Sequence, residues 1–359
     1  MSLAEIREQI DRLDGDLLRL LNERAGLVHQ IGEIKKSKGL EIYAPEREDA
    51  LLTRLVNRSA EQGGMLPEKS IRAIYREIMS AALALEENLT IAYLGPAGTW
   101  THQAAISKFG ASVAYVPQGN FQDVFDQVAR RVCNYGVVPI ENSTEGAVNH
   151  TLDLFADSPL KICAQVVLRI DNCLLANCKK DEITRIYSHP QVFGQCRDYL
   201  NRTFPKVERI EVSSTSRAGE IAAKEPGAAA MGAALVGQMN GLEVLERNVQ
   251  DLATNMTRFL VIGQRTCPPT GNDRTSMMFA LKDRPGSLYE ALRPFNQLKI
   301  NLCKIESRPS RRREWEYFFF VDFLGHSEDP TVKEVISNLE QHCSMLKVLG
   351  SYPNSELDA

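Results

Sequence analysis

Residues 137–146 read Val-Val-Pro-Ile-Glu-Asn-Ser-Thr-Glu-Gly, and this stretch indicates the fold of the middle of the chain. An apolar run stops abruptly and is followed by a carboxylate, an amide and two hydroxyls. This change is typical of a central strand of an α/β sheet that carries a ligand-binding loop at its C-terminal end. Because the same pattern recurs between about residue 90 and residue 260, we expect a ligand-binding cleft there.

Outward from this stretch, the order of strand, small polar loop and helix occurs five times. Repeated βα units predict a mostly parallel sheet, and crossovers near residues 165 and 240 predict two lobes, as in a binding-protein fold. Serine and threonine at a helix start are more often caps than ligands, so the prediction depends on the five loops together. They indicate a pocket for an anionic, hydroxyl-bearing small molecule without metal or cofactor.

The N-terminal part is predicted to be all helical. Apolar residues recur at helical spacing over residues 4–36, and Pro45 and Pro67 mark the starts of two further helices. Three helices of such unequal length cannot cover one another, so the long helix would leave an apolar face in water. We therefore expect this unit to form a dimer.

Charged residues of the helical unit could surround a small dianion. Arg24 and Lys35 are eleven residues apart, and so share a helix face. Arg7 lies about 100° from that face and is predicted to point to a different site, such as the partner's. Three residues of the later helices complete the set: Arg47, Glu48 and Glu86. For any one of these residues, a solvated surface position is the more common outcome.

Together these residues resemble the all-helical chorismate mutases. The resemblance implies an intertwined dimer with two sites, in which Arg24 and the partner's Arg7 hold the two substrate carboxylates. Lys35 and Glu86 would hold the ether oxygen, and Glu48 the ring hydroxyl. A Claisen rearrangement needs a folded substrate and donors aimed at the oxygen that gains negative charge, and these residue types suit that need.

Three positions depart from the mutase pattern. Ala44 and Ala82 stand where relatives often carry an aspartate and a serine, so a mutase domain that has lost its activity is one alternative. Glu86 stands where some relatives carry glutamine. A glutamate donates to the ether oxygen only when protonated, so we expect mutase activity to fall as pH rises through neutrality, and a flat profile up to about pH 9 would remove this role.

Four motifs of the middle region resemble prephenate dehydratases: Gly95-Pro96-Ala97-Gly98-Thr99, Val138-Pro139-Ile140-Glu141-Asn142, Ser188-His189-Pro190-Gln191 and Asn255-Met256-Thr257-Arg258-Phe259. The resemblance implies that prephenate loses carbon dioxide and hydroxide to give phenylpyruvate. Thr257 would hydrogen-bond the leaving hydroxyl, and Arg258 would pair a carboxylate. The residues expected to position the substrate are Thr99, Asn142, Ser188 and Gln191. Glu141 and His189 either carry protons or brace their loops, and the sequence leaves both interpretations open.

After a linker rich in proline and glycine, the C-terminal part reads β-α-β-β-α-β, the ferredoxin-like order. The motifs Asp283-Arg284-Pro285-Gly286-Ser287-Leu288 and Glu306-Ser307-Arg308-Pro309 resemble the ACT regulatory domain of dehydratases. The resemblance implies feedback inhibition by phenylalanine, bound across a dimer interface at backbone N–H groups of a helix start. The residues expected at that site are Gly286, Ser287, Leu288, Asn301, Leu302 and Arg308.

We therefore expect three domains, at residues 1–88, 89–267 and 274–359. The composition is 43% hydrophobic and 25% charged with a net charge of -4, which is ordinary for a soluble protein and gives no electrostatic case for nucleic acid. No secretory or membrane-spanning segment is present in the pattern. The eight cysteines form no CxxC pair, so we expect a cytosolic protein with reduced thiols and no zinc site.

The three resemblances follow the order of bifunctional chorismate mutase–prephenate dehydratases. The expected ligands are chorismate, prephenate and phenylalanine, and the expected assembly is a homodimer or a larger homo-oligomer. A ligand sensor, with a two-lobed binding module and a helical dimerisation arm, is the alternative from another class. A pure dimerisation arm has no reason to place Arg24, Lys35, Arg47 and Glu86 towards one apolar groove, and this distinguishes the two hypotheses.

Overall fold

A computed structural model describes residues 2–39, 41–252, 254–282 and 284–354. Asp283 of the predicted regulatory motif therefore lies outside the described residues. The chain divides into two compact units, Met1–Thr90 with Phe109–Ala114, and Ile91–Lys108 with Tyr115–Ala359.

The first unit contains three helices: α1 (Leu3–Lys38), α2 (Pro45–Glu61) and α3 (Glu68–Glu86). Helix α1 begins with a capping box, since Ser2 Oγ accepts from the Glu5 N–H at 3.3 Å and the Glu5 carboxylate accepts from the Ser2 N–H at 2.7 Å. It ends at Gly39, whose φ of 61° suits glycine. The predicted long first helix and the two shorter ones that follow it are confirmed.

Helix α1 leaves most of its apolar stripe exposed. Within the described part of α1, only Val28 and Gly32 are buried. The exposed apolar side chains run along the whole helix, with fractional exposures from 37% to 65%: Leu3, Ile6, Ile10, Leu13, Leu17, Leu18, Leu20, Leu21, Leu27, Ile31 and Ile34. A single copy of the chain therefore presents an uncovered hydrophobic face about nine turns long.

The second unit starts with a six-stranded sheet of order β2-β1-β3-β11-β5, with β4 paired to β3. This first lobe contains the following elements: β1 (Thr90–Leu94), α4 (Trp100–Phe109), β2 (Ala114–Gln118), α5 (Phe121–Ala129), β3 (Tyr135–Asn142), β4 (Gly146–Ala147), α6 (Asn149–Asp157), β5 (Lys161–Arg169) and β11 (Met256–Gly263). Residues 137–146 belong to the buried central strand β3 and the segment after it, as predicted.

A second lobe is built on a five-stranded sheet of order β10-β6-β9-β7-β8. Its elements are β6 (Cys173–Ala176), β7 (Arg185–Ser188), α7 (Pro190–Gln195), α8 (Arg197–Thr203), β8 (Glu208–Glu211), α9 (Thr215–Ala222), β9 (Ala228–Gly232), α10 (Ala234–Asn240) and β10 (Glu243–Glu246). The chain enters this lobe after β5 and leaves it before β11, so the two-lobed arrangement is confirmed.

The mostly parallel sheet predicted from the repeated units is wrong, because both sheets are mixed. Strand β1 pairs with β3 in parallel, and β7 pairs with β8 and β9 in parallel. Strand β11 is antiparallel to both β3 and β5. The physical reason is the return crossing, since a chain coming back from the second lobe enters the first sheet from the opposite end.

The C-terminal part is a four-stranded sheet of order β13-β14-β12-β15 with two helices, which confirms the ferredoxin-like order. Its elements are β12 (Asp273–Leu281), α11 (Ser287–Gln297), β13 (Leu302–Pro309), β14 (Tyr317–Leu324), α12 (Pro330–Glu340) and β15 (Cys343–Pro353). One sheet face packs on its own helices through residues such as Phe279 and Phe323. The other face, with Phe320 and Tyr352, shares a hydrophobic core with Val138 of the first lobe.

Candidate active sites

The ends of β3 and β11 place two pairs of predicted site residues on opposite faces of one sheet. Thr257 lies opposite Asn142, and Arg258 lies opposite Glu141. Because side chains alternate along a strand, the threonine and the asparagine share one face while the arginine and the glutamate share the other. The structure therefore brings these four residues to one strand end without giving them one common pocket.

Asn142 fixes the direction in which Thr257 can donate a hydrogen bond. The Asn142 amide nitrogen donates to Thr257 Oγ1 and to Asn255 Oδ1, each at 2.8 Å. The Asn142 oxygen accepts from the N–H groups of Thr144 at 2.9 Å and Glu145 at 3.1 Å. Since the Thr257 oxygen accepts from the amide, its own hydrogen is available to another acceptor. Both amide hydrogens of Asn142 are used within the protein, which favours an orienting role towards Thr257, and direct contact of Asn142 with substrate stays a prediction.

On the opposite face, Arg258 is only 5% exposed. Its Nε donates to Glu141 at 2.6 Å, and its guanidinium also pairs with Asp322 on β14. Lys304 on β13 forms a second ion pair with Glu141 at 2.7 Å. Residues adjacent on a strand point to opposite faces, and this guanidinium pairs with a carboxylate of the ferredoxin-like domain, so that its pairing with a substrate carboxylate stays a prediction.

The charge environment of Glu141 favours the bracing interpretation. Burial raises the pKa of Glu141, but the positive charges of Arg258 and Lys304 together lower it by more than burial raises it. The pKa of Glu141 therefore lies below its ordinary value. A carboxylate held ionised by two cations is a poor proton carrier near neutral pH. Glu141 thus anchors the strand end.

The remaining dehydratase residues mostly hold their own loops. Ser188 is fully buried, and its Oγ donates to the Met231 carbonyl at 2.8 Å. His189 caps α7, since its Nδ1 accepts from the Gln191 N–H at 3.3 Å. The Thr99 hydroxyl donates to the Leu94 carbonyl at 2.9 Å. These contacts favour a positioning role for the loops that line the cleft.

Gln191 reaches across the cleft between the lobes. Its Nε2 donates to Glu145 at 2.5 Å, and Gln195 donates to the other oxygen of the same carboxylate at 3.2 Å. Two residues of this region had no role predicted from the sequence: Glu145 and Asn255. The available sequence signals were the polar run after β3 for Glu145 and the motif that contains Thr257 for Asn255.

In the first unit, a cavity of about 130 Å³ gathers five of the predicted mutase residues. Its charged lining consists of Arg24, Lys35, Arg47, Glu48 and Glu86. Apolar residues complete the wall, and the two alanines that depart from the mutase pattern, Ala44 and Ala82, line it as well. One partly apolar groove is thus lined by Arg24, Lys35, Arg47 and Glu86. A helical unit that served only for dimerisation would not require this arrangement, so the observation favours an enzyme over a ligand sensor. Arg7 is exposed and is not among the lining residues.

Lys35 is held in the wall of this cavity by two acceptors. Its ammonium group donates to the Ile42 carbonyl at 2.6 Å and to Glu86 at 3.2 Å. Lys35 is partly buried and Glu86 is buried, with side-chain exposures of 19% and 8%. Because an ammonium carries three hydrogens, one donor of Lys35 remains for a ligand.

The predicted regulatory residues fall into two places. Gly286, with a φ of 81°, precedes α11, and the Ser287 hydroxyl donates to the carbonyls of Lys282 at 2.7 Å and Arg284 at 2.8 Å. Leu288 and Asn301 are exposed, and Leu302 is half-buried. Arg308 forms two hydrogen bonds with Asp153 on α6, at 3.2 and 3.1 Å. The described contacts of Arg308 are therefore with the first lobe, and its part in a regulatory site stays a prediction.

No helix among the described residues has both the length and the apolar character needed to cross a membrane. Within the same residues, no group of three or more histidine, cysteine, aspartate or glutamate side chains is arranged to hold a metal ion.

Comparison with known proteins matches each part of the chain to a family. The chorismate mutase type II model matches residues 6–87, the prephenate dehydratase model residues 91–267 and the ACT domain model residues 275–341. A bifunctional chorismate mutase/prephenate dehydratase of Aquifex aeolicus is 46% identical over 357 residues, which covers 99% of each chain.

Two solved structures are similar to the second unit's architecture. A prephenate dehydratase from Arthrobacter aurescens in complex with L-Phe is 32% identical with a TM-score of 0.68, and covers 74% of this chain and 90% of that chain. GqqA, described as a novel type of quorum quenching acylase, is 27% identical with a TM-score of 0.68, and covers 74% of this chain and 98% of that chain. The similarity to the Aquifex aeolicus protein covers 99% of this chain and so includes the helical unit, whereas each solved structure covers 74%. It therefore favours the mutase/dehydratase description over the acylase description. The chain belongs to the bifunctional chorismate mutase/prephenate dehydratase family.

Proposed function

We propose that the first unit rearranges chorismate to prephenate and that the second unit converts prephenate to phenylpyruvate. The observation that carries the second assignment is the hydrogen bond from Asn142 to the Thr257 hydroxyl oxygen, which leaves the threonine proton available as a donor. The first assignment is supported by the cavity that Arg24, Lys35 and Glu86 line together.

In the mutase reaction, the cavity folds the substrate and stabilises the charge that develops on its ether oxygen. Arg24 pairs one carboxylate, Glu48 accepts from the ring hydroxyl, and the remaining donor of Lys35 points at the ether oxygen. Arg47 adds a positive charge to the wall. Such positioning and electrostatic stabilisation suffice, because bond breaking and bond formation occur within one molecule.

The mutase site is completed by a second copy of the chain. The exposed apolar stripe of α1 is too large to remain in water, and a second α1 is a face of matching length and chemistry. In that dimer, the partner's Arg7 pairs the second substrate carboxylate.

In the dehydratase reaction, the bond to the ring carboxylate breaks and carbon dioxide leaves. The electron pair completes the aromatic ring, and the C–O bond to the ring hydroxyl breaks. Thr257 donates a hydrogen bond to this leaving oxygen, which departs as water once it takes up a proton. Asn142 holds the threonine in its donating orientation, and Gln191 with Glu145 closes the cleft over the substrate.

Phenylalanine inhibits the dehydratase through the ferredoxin-like domain. The Arthrobacter aurescens relative was solved with L-Phe. In this chain, the turn at Gly286 presents backbone N–H groups at the start of α11, where an amino-acid carboxylate fits. Leu288, Asn301 and Leu302 supply the neighbouring surface.

The boundaries proposed for the three domains remain 1–88, 89–267 and 274–359.

We also place this enzyme in the cytosol. All eight cysteines lie within the described residues without forming a disulfide and five of them are buried, as expected in a reducing compartment.

The experiment compares Thr257→Val, which keeps the shape of the side chain, with Thr257→Ser, which keeps the hydroxyl. The valine variant should lose about 100-fold to 1,000-fold in dehydratase kcat, the range for removing one donor to a developing charge. The serine variant should retain most of the activity, and mutase turnover should stay unchanged in both. Equal dehydratase activity in the two variants would contradict the role of Thr257.

A further inference from the structure

We infer that Asp322, a buried carboxylate of the ferredoxin-like domain, is a positioning residue for the dehydratase reaction. The inference rests on the proposed role of Thr257, and it assigns part of the catalytic scaffold to a domain that the sequence describes as regulatory only. Asp322 acts through Arg258, the residue that follows Thr257 on β11.

Asp322 belongs to a hydrogen-bonded cluster at the junction of the first lobe and the ferredoxin-like sheet. It is 6% exposed, and it pairs with the Arg258 guanidinium and accepts from the Ser276 hydroxyl at 2.6 Å. Ser276 also contacts the Tyr352 hydroxyl at 2.7 Å, and that hydroxyl accepts from Arg258 at 3.3 Å. Asp322 is therefore held by both Arg258 and Ser276, and Arg258 is held in turn by Asp322 and Tyr352.

The charges of this cluster balance. Arg258 and Lys304 are the two cations, and Glu141 and Asp322 are the two anions. Both cations and Asp322 are nearly buried, so each needs its partners. Removing the charge of Asp322 leaves a surplus positive charge at the base of the strand end that carries Thr257.

Both strand pairs are irregular where the cluster forms. The pairing of β11 with β3 shifts register between Arg258 and Phe259, and the pairing of β13 with β14 shifts between Leu302 and Lys304. The second shift turns Lys304 to the face of Asp322. A bulge changes the direction in which nearby side chains point, and neighbouring contacts help to fix that direction. The orientation of Thr257 therefore depends on the contacts that hold Arg258.

The ferredoxin-like domain also holds the far end of the loop that starts at Asn142. Helix α6 follows that loop, and Arg308 pairs with its Asp153. Lys347 donates to the Phe155 carbonyl at 2.7 Å and the Ser158 carbonyl at 2.6 Å, at the C-terminal end of the same helix. The ferredoxin-like domain thus contacts Glu141, directly before this loop, and helix α6, which follows it. A movement of this domain would therefore be passed to the loop beside the dehydratase site.

The test uses the full chain and measures dehydratase and mutase turnover in each variant. Asp322→Asn should lower dehydratase kcat about 10-fold to 100-fold, the loss expected when a reacting group is misplaced by a fraction of an ångström. The KM for prephenate should change by less than about threefold, because substrate-binding groups stay in place. Mutase turnover should not change.

Asp273→Asn is the matched control. Asp273 is also a buried aspartate of this domain, at 4% exposure, but it accepts from the Thr270 and Gly271 N–H groups, outside the cluster. Its dehydratase kcat should stay within about twofold of the wild type, since the anchor of Arg258 is untouched. An equal loss in both variants would overturn the inference in favour of general destabilisation.

Two further variants extend the test, and the first of them, Ser276→Ala, keeps it decisive if Asp322→Asn does not fold. Ser276→Ala keeps every charge and removes one hydrogen bond to Asp322, and should lower dehydratase kcat about threefold to tenfold. The double variant Asp322→Asn with Lys304→Met restores the charge balance and should recover at least about threefold over Asp322→Asn alone. Unchanged dehydratase kcat in folded Asp322→Asn, or in Ser276→Ala, would overturn the inference. A wild-type chain without any dehydratase turnover would instead overturn the proposed function itself.

Discussion

The proposed sharing of the mutase site between two chains predicts that two inactive variants restore each other's activity. Lys35 lines the cavity of its own chain, whereas Arg7 is exposed and lies outside that lining. In a dimer joined through α1, Arg7 therefore serves the partner's cavity and Lys35 its own. A hybrid of an Arg7→Ala chain and a Lys35→Ala chain has one site lacking both residues and one site that is intact.

The magnitude follows from this arrangement. Each single variant should lose about 100-fold to 1,000-fold in mutase kcat, as for other donors to a developing charge or to a bound carboxylate. Random exchange of subunits makes half of the dimers hybrid, and each hybrid has one of two sites intact, so the mixture should reach about one quarter of the wild-type activity.

The assay mixes the two purified variants under conditions that allow subunit exchange and follows chorismate consumption. A mixture of Arg24→Ala and Lys35→Ala chains is the control, because both residues line the same cavity and no hybrid then has an intact site. Activity no greater than the parents in the Arg7 mixture, or equal recovery in the control, would refute the shared site.

Two further predictions concern single positions. Gly32→Ala should lower mutase activity, since its Cβ would lie 3.1 Å from the Glu86 Cγ, whereas the control Gly26→Ala meets no atom within 4 Å. Burial raises the pKa of Asp322 but Arg258 lowers it further, so its pKa lies below the ordinary value and its contribution to stability falls as pH drops below about 4. The wild-type melting temperature should therefore fall more steeply than that of Asp322→Asn on acidification, and equal slopes would argue against this.

Local signals were enough to predict most of the elements. The helical spacing over residues 4–36 and the prolines at the next two helix starts gave the first unit, because these signals act within a few turns of chain. The ferredoxin-like order followed from alternating short strands and helices. The direction of β11 did not follow, since it depends on a crossing between lobes that no local pattern encodes.

The candidate sites show the same division. Residues on one helix, such as Arg24 and Lys35, could be placed on one face from their spacing alone. Asp322 and Lys304 could not be connected to Arg258, because these contacts join strands far apart in sequence and depend on two bulges. Strand alternation alone would have shown that Thr257 and Arg258 point to opposite faces.

The most direct test of two reactions in one chain is a time course started with chorismate alone. Prephenate should form first and phenylpyruvate should follow, and added phenylalanine should slow the formation of phenylpyruvate while prephenate continues to accumulate. Formation of neither product by the folded chain would contradict both sites and favour the ligand sensor.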